Sequence, residues 1–402
     1  MNKASSKKQR IIAIDALRGF AMLGILLMNI QSFANIDAGY FNPTVVGNTE
    51  GINKIIWIIV HTVADQKFMT IFSILFGAGI VLFSENLEKK AADPTPVFYK
   101  RTLWLVIFGL IHAYIFWHGD ILVSYGLSAF LVYWLRKWSI KNLLITSVIM
   151  LSFMSFSLFA IGLSIDYMPA NEVQKMELDW RPSPKTIAKE INDFRGGWLK
   201  QMPHRSSSSF ELQSGIIIVF WRIGGLMVLG MALFKMGVLT AKRSNKFYVI
   251  MAIIGLGLGF AMVLNGVYLA FLNNWDMQYT EFLNHGWNYW GSVLLALGYI
   301  ALIMLLSKNK NWDKITNTLA NVGKTAFSNY ILQTIIGTFI FYGSGLGYFA
   351  KINIVGQMII VLFIWAFQLI ISRLWLKYFN YGLLEWIWRG LTYGKFQTLR
   401  KN

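Results

Sequence analysis

Ionisable side chains set inside apolar stretches are where this sequence could do chemistry. A charge near the centre of a bilayer costs about 2.5–3.5 kcal/mol even on a lenient scale, so each one needs a partner or a task. Asp15 and Arg18 stand at i,i+3 at the start of an apolar run, and Asn29 follows Arg18 by eleven residues. Eleven residues make about three helical turns, which places all three on one stripe. That stripe is either a line of polar groups facing a bundle interior or a structural ion pair with one interhelical hydrogen bond. His61 and Asp65 form a second pair, at i,i+4. A carboxylate one turn from an imidazole fixes its tautomer and raises its basicity, as a general base requires. The plainer alternative is a solvated contact at an interface. His112 lies in an apolar segment with no polar partner in its own helix, and His118 and Asp120 bracket the turn that follows. Arg222 is the lone charge of its segment, so it calls for a carboxylate, a lipid phosphate or a substrate.

Other chemistries find little footing. Five histidines, no cysteine and no two histidines at i,i+4 give no metal-site signature, and no metal is expected. No serine-hydrolase elbow is present. Gly255, Gly257 and Gly259 sit inside an apolar run with no preceding strand, which reads as helix-packing surface rather than a nucleotide loop. Ser73 and Gly77 make a similar small-residue face.

The elements that must position these residues are membrane helices. Only 14% of the 402 residues are charged and 55% are hydrophobic, against about a quarter charged in a soluble domain. Residues 68–84, 142–165, 247–272, 286–307 and 352–372 contain no Asp, Glu, Lys or Arg. A helix needs about 20 mainly apolar residues to cross the hydrocarbon, and it satisfies its own backbone there. The sequence predicts an all-α polytopic bundle of about ten transmembrane helices at 11–34, 66–84, 102–118, 121–135, 142–165, 213–234, 247–272, 287–307, 325–342 and 353–376. Asp15 and Arg18, with no small-residue cleavage site after them, mark the first as a retained helix rather than a signal peptide.

The net charge of +18 lies in clusters between the runs, which encodes topology and argues against a nucleic-acid partner. Lys3, Lys7, Lys8 and Arg10, then Lys89, Lys90, Lys100 and Arg101, then Arg136, Lys137 and Lys141 fall on one side. Lys242, Arg243 and Lys246 join them, with Lys308, Lys310, Lys314 and Lys324 and finally Arg389, Lys395, Arg400 and Lys401. The short connections of the other side offer Lys54 and Lys351. Both termini are therefore expected on the cytoplasmic side of the membrane.

The connection 166–212 is basic yet assigned outside; it also holds seven acids, and long segments obey the charge rule weakly. Within it Ser183-Pro184 starts a helix whose Ile187, Ile191, Phe194 and Trp198 share a face, an outer-surface helix serving as a lid or as an anchored spacer. In 380–396, Trp386 and Trp388 beside the i,i+4 pair Glu385 and Arg389 predict a helix at the inner interface. The chain thus divides into a five-helix half (1–165), the outer loop (166–212) and a second five-helix half with its tail (213–396). No internal repeat is visible, which counts against inverted-repeat transporters.

These motifs carry a resemblance. Asp15-Ala-Leu-Arg18-Gly19 with Asn29, Phe72-Ser73-Ile-Leu-Phe76-Gly77-Ala-Gly79, His112 with Gly119-Asp120-Ile-Leu122, and Glu385-Trp386-Ile-Trp388-Arg389-Gly-Leu-Thr392-Tyr393 resemble the YeiB-type bacterial membrane proteins, a domain-of-unknown-function family, over nearly the whole chain. One departure is Leu383, where that family usually has proline. The family is in turn distantly similar to transmembrane acyltransferases such as the heparan glucosaminide acetyltransferase, through Asp15, Arg18, Gly19, Asn29 and Thr62-Val63-Ala64-Asp65. Those enzymes take acyl-CoA from the cytosol and modify a glycan across the membrane; their histidine lies upstream, where this chain offers only the shifted His61.

The resemblance implies acyl transfer from cytoplasmic acyl-CoA, as co-substrate, to a hydroxyl or amine of a glycan or lipid-linked acceptor outside. Arg18, Arg101 and Lys324 are expected to hold CoA phosphates beside Asp15. His61, oriented by Asp65, is the expected base, and Asn29 would polarise the thioester. His112, Asp120 and Arg222 are expected to line the substrate path. The alternative is a transporter or flippase for a lipid-linked or small anionic compound. The sequence leaves the acceptor, the acyl group and the oligomeric state open.

Overall fold

The computed structural model describes residues 11–401; Lys3, Lys7, Lys8 and Arg10 lie outside them. The chain begins with α1 (Ile12–Ala34), short α2 (Ala38–Phe41), α3 (Gly51–Ala64), α4 (Lys67–Glu88) and α5 (Pro94–Ile111). A π-helical turn, His112–Phe116, continues α5. Next come α6 (Leu122–Val132), α7 (Ile140–Ser164), then α8 (Ala170–Trp180), α9 (Pro184–Phe194) and α10 (Trp198–Ser214). The second half runs α11 (Ile216–Lys235), α12 (Asn245–Leu272), α13 (His285–Lys308), α14 (Asp313–Lys324), α15 (Ala326–Phe341), α16 (Ile354–Tyr378) and α17 (Leu383–Tyr393).

All ten expected segments are helical, and the fold is a polytopic helix bundle. Seven helical runs are long and apolar enough to cross a membrane, by length and composition. The α15 helix is apolar but shorter, and α5 and α6 are lengthened by their π and 3-10 turns. Broad apolar faces look outward from α7, α12 and α16, including Phe156, Ile253, Leu258, Leu362 and Phe363, as lipid contact requires. The chain is a multi-pass membrane protein.

The ends of the bundle sort as the charge pattern predicts. At one end Lys235 Nζ donates to Trp138 O at 2.7 Å, Lys308 Nζ to Arg243 O, and Trp388 Nε1 to Arg101 O at 2.8 Å. At the other, Asn42 Nδ2 donates to Trp180 O at 3.1 Å, Trp180 Nε1 to Trp275 O at 2.9 Å, and Arg195 Nε to Phe349 O at 2.8 Å. The loops assigned to the cytoplasm touch one another, and so do those assigned outside.

Close backbone approaches set the interior. A Cβ on Gly19 would stand 1.9 Å from Leu319 O, and one on Gly323 would stand 1.9 Å from Asp15 O, so α1 and α14 cross glycine on glycine. Gly77 against Met227 O and Gly230 against Ile74 O, at 1.8 and 1.9 Å, lock α4 to α11 the same way. The two halves of the chain therefore share a core.

Four features differ from expectation. The α3 helix was not foreseen; it joins α4 through Asp65 and Gln66, and Gln66 takes the left-handed conformation (φ 63°) that turns the chain. The α14 helix was read as a basic connection; its apolar face packs on α1. In the outer loop Ser183 does cap α9, accepting from Thr186 N at 3.2 Å. Ile187, Ile191 and Phe194 pack inward together, but Trp198 starts α10 after the Gly196-Gly197 break and leaves their face. Finally, Glu385 does not pair with Arg389. It accepts from Phe327 N (2.7 Å) and Ser328 Oγ (2.6 Å), capping α15, where the helix dipole favours a carboxylate. Arg389 stacks on Tyr381 instead.

Because the chain has no cysteine, single substitutions report sidedness. A membrane-impermeant thiol reagent applied to intact cells should label Glu172→Cys at once and Lys314→Cys only after permeabilisation; the opposite order would invert the bundle.

Candidate functional site

At the inner end Arg18 Nη1 donates to Asp15 Oδ1 at 2.8 Å and to Gly323 O at 3.5 Å. Asp15 is buried while about a third of the Arg18 side chain (32%) stays open. The α1–α14 crossing thus holds the pair at the mouth of the bundle. Arg101 lies 3.6 Å above the Trp388 ring, tying α17 to α5, and is near enough to Arg18 for the two charges to act on each other. Lys324 ends α14 beside Gly323. Farther along α1, Asn29 is half-buried, and its amide makes no hydrogen bond among the described residues.

From this mouth a line of neutral polar side chains runs through the bundle. Asn329 Nδ2 donates to Thr325 Oγ1 (3.0 Å) and Ser372 Oγ (2.9 Å). Gln368 Nε2 donates to Asn329 O (3.0 Å), and Gln333 Nε2 to Gln368 Oε1 (2.9 Å). Next to Gln333, Thr334 Oγ1 lies 2.9 Å from His112 Nε2, and His112 Nδ1 lies 2.8 Å from Asp120 Oδ1. The π turn after α5 carries His112 back towards Asp120, whose second oxygen accepts from Val123 N at 2.9 Å. His112 is 1% exposed. With Asp120 accepting from Nδ1–H, Nε2 is left as the basic nitrogen facing the Thr334 hydroxyl. This dyad is tighter than the expected one. The neutral links at 325, 329, 333, 334 and 368 escaped the sequence reading because single Thr, Asn and Gln residues in apolar helices carry no spacing signal.

The outer loop brings together groups that the sequence reading left apart. Asp37, between α1 and α2, receives His118 Nε2 on Oδ1 at 3.0 Å, and His204 Nε2 on Oδ2 at 3.3 Å. Ser208 Oγ donates to Oδ2 at 3.1 Å. Glu190 of α9 accepts from Asp37 N at 2.8 Å and lies 3.7 Å from His204 Nε2. Desolvation alone would raise the Asp37 carboxyl, but the His118 and His204 imidazoles outweigh it and hold it well below the usual carboxylate range. Desolvation, helped by the Asp37 charge, pushes Glu190 up to about 7. A cavity of about 340 Å³ opens alongside, lined by Ile36, Asn48, Ile187, Ile191, Lys351 and Asn353. Asp37, Glu190 and His204 were missed because four distant segments supply the cluster.

His61 and Asp65 do meet, at 3.4 Å, but Asp65 Oδ2 already accepts from Asn288 Nδ2 at 2.7 Å. Asn288 also accepts from Lys67 Nζ at 2.7 Å, and Lys67 donates to His61 O at 3.0 Å. Lys67 is fully buried, and one amide side chain thus joins a cation to a carboxylate. Arg222 donates to Ser292 Oγ at 3.0 Å and lies 4.0 Å over the Tyr289 ring, but its Nε and Nη1 have no partner among the described residues. A hydroxyl and an aromatic face therefore meet the Arg222 charge, for which the sequence called for a carboxylate, a lipid phosphate or a substrate. The Asn288→Leu variant should lose about 3 kcal/mol by stranding Lys67 and Asp65 at once. Thermal unfolding in detergent would register this as a clear drop in Tm, and an unchanged midpoint would mean that the amide bridge is dispensable.

Residues 233–395 match the family described as protein of unknown function (DUF418). The chain is 28% identical to the uncharacterised protein YeiB of Escherichia coli (strain K12), over 96% of each chain. It is also 28% identical to the uncharacterised protein YxaH of Bacillus subtilis (strain 168), over 98% of this chain and 96% of that one. An uncharacterised 39.9 kDa protein in the amylase 3' region of Bacillus acidopullulyticus is 27% identical, over 98% and 97%. With the helix bundle and the Asp15–Arg18 and Glu385 motifs, the chain is thus similar, nearly end to end, to the uncharacterised YeiB-type proteins.

Proposed function

We propose that the chain is an acyltransferase of the bacterial plasma membrane, moving an acyl group from cytoplasmic acyl-CoA to a hydroxyl or amine of a glycan or lipid-linked acceptor outside. The observation that carries this reading is the buried His112–Asp120 dyad, with Thr334 on His112 Nε2, together with the neutral polar side chains of α15 and α16 lying between it and the Arg18 mouth. Arg18 and Arg101 sit where the CoA phosphates would arrive, and Arg18 remains open to them. Asn29, whose side-chain amide makes no hydrogen bond among the described residues, is available to polarise the thioester carbonyl. His112 takes the role of base expected of His61, because its carboxylate partner lies at 2.8 Å and is not shared with an amide side chain. The acceptor O–H or N–H attacks the thioester carbonyl while His112 Nε2, directly or through the Thr334 hydroxyl, takes the proton. The C–S bond then breaks, and the CoA thiolate leaves and is protonated.

One observation favours the second reading, a transporter or flippase for an anionic compound. Arg222 Nε and Nη1 have no partner among the described residues, and Arg222 lies near a fully buried Lys67. Purified protein that binds no acyl-CoA but exchanges an anion across proteoliposomes would favour it.

In a turnover assay with labelled acetyl-CoA, His112→Ala should lower transfer about 10²–10⁴-fold, Asp120→Asn less so, and His61→Ala little. Loss in His61→Ala with normal turnover in His112→Ala would move the base back to α3. Acyl-CoA binding itself should weaken in Arg18→Gln and stay weak when Asp15→Asn is added. Recovery of binding in the double variant would assign Arg18 to structure alone.

A further inference from the structure

We infer that the outer cap holds a divalent cation of the zinc class, ligated by Asp37, Glu190 and His204. Their ligand atoms lie within 4.8 Å of one another and come from three separate segments. Imidazole and carboxylate ligands bind Zn²⁺ at about 2.0–2.2 Å, so tetrahedral neighbours stand about 3.3–3.6 Å apart. His204 Nε2 lies 3.3 Å from Asp37 Oδ2 and 3.7 Å from Glu190 Oε1, which matches two such edges.

The surroundings are those of a built site rather than a chance cluster of acids. His118, 5% exposed, donates from Nε2 to Asp37 Oδ1 and so turns the other oxygen towards His204. Orienting contacts of this kind are what hold ligands around metals. Ser208 Oγ fixes the same oxygen from α10. No Lys or Arg side chain makes an ion pair with Asp37 or Glu190 among the described residues, so imidazoles are their only basic side-chain partners there. Imidazole with carboxylate, and no thiolate, suits Zn²⁺ or Mn²⁺. About a third of Asp37 (35%) and a quarter of His204 (26%) are open to solvent, so three protein ligands leave a fourth position for water or an acceptor hydroxyl. The inference stands apart from the acyl-transfer reading, which uses none of these three residues.

The test uses the full chain in detergent, stripped with a chelator and titrated with Zn²⁺ against a chromophoric competitor. Wild-type protein should bind one tight equivalent. His204→Ala should weaken binding at least about 100-fold, and His118→Ala, which removes an orienting contact, about 10–100-fold. His285→Ala, at the start of α13, should bind as the wild type does. If His204→Ala does not purify, the near-isosteric Glu190→Gln takes its place with the same expectation. In either case Co²⁺-loaded wild type should show the visible bands of a four- or five-coordinate site. No tight equivalent, undiminished binding in both ligand variants, or a purely octahedral Co²⁺ spectrum would overturn the site.

Discussion

In hydrocarbon a polar side chain must bring its partner with it, because water supplies none. Lys67 meets that demand through Asn288, which also holds Asp65. Gln333, Gln368, Asn329 and Ser372 meet it by bonding one another in sequence. Each link takes its place only if α15 and α16 stay in register, so the network reports on helix packing as much as on chemistry. His112 is the extreme case. Buried to 1% exposure, it depends on a carboxylate eight residues ahead and a hydroxyl on another helix.

Elsewhere in the bundle, between α1 and α14 and between α4 and α11, packing is set by backbone contact. Lipid offers no hydrophobic reward for pushing two apolar helices together, so close approach through small residues must do the work. The Gly19–Gly323 and Gly77–Gly230 crossings provide it, and each sits beside a polar group that needs fixing. Asp15 and Arg18 flank the first, and Ser73, hydrogen-bonded to Met69 O at 3.0 Å, precedes the second by one turn. Glu385 adds a different tie, binding the tail helix to the start of α15 through the exposed amides of that helix end.

The outer cap follows another logic. Its helices α8, α9 and α10 are rich in charged and polar residues, and they use them. Arg195 reaches Phe349 O and Arg205 reaches Ile115 O at 2.8 Å each, pinning α9 and α10 to the bundle. Beneath those pins Phe194 packs against Phe349 and Tyr342, and the Asp37 cluster forms where α1 ends.

The helical class, the apolar helical segments and the i,i+3 and i,i+4 pairs at Asp15–Arg18 and His61–Asp65 were all legible in the sequence. Each depends on local periodicity, on run length or on charge between runs, which a linear reading can measure. The same reading pointed to His112 as a group needing a partner but could not supply Asp120 and Thr334. It weighed Glu385 against Arg389 because they are helical neighbours, whereas the structure offers the carboxylate a better site at the start of α15. It also left Asp37, Glu190 and His204 unconnected. Which polar group meets which across the bundle depends on helix rotation and register, and these are set by contacts between segments a hundred or more residues apart. No local pattern records such contacts, because the energy that selects them exists only once both helices are in place.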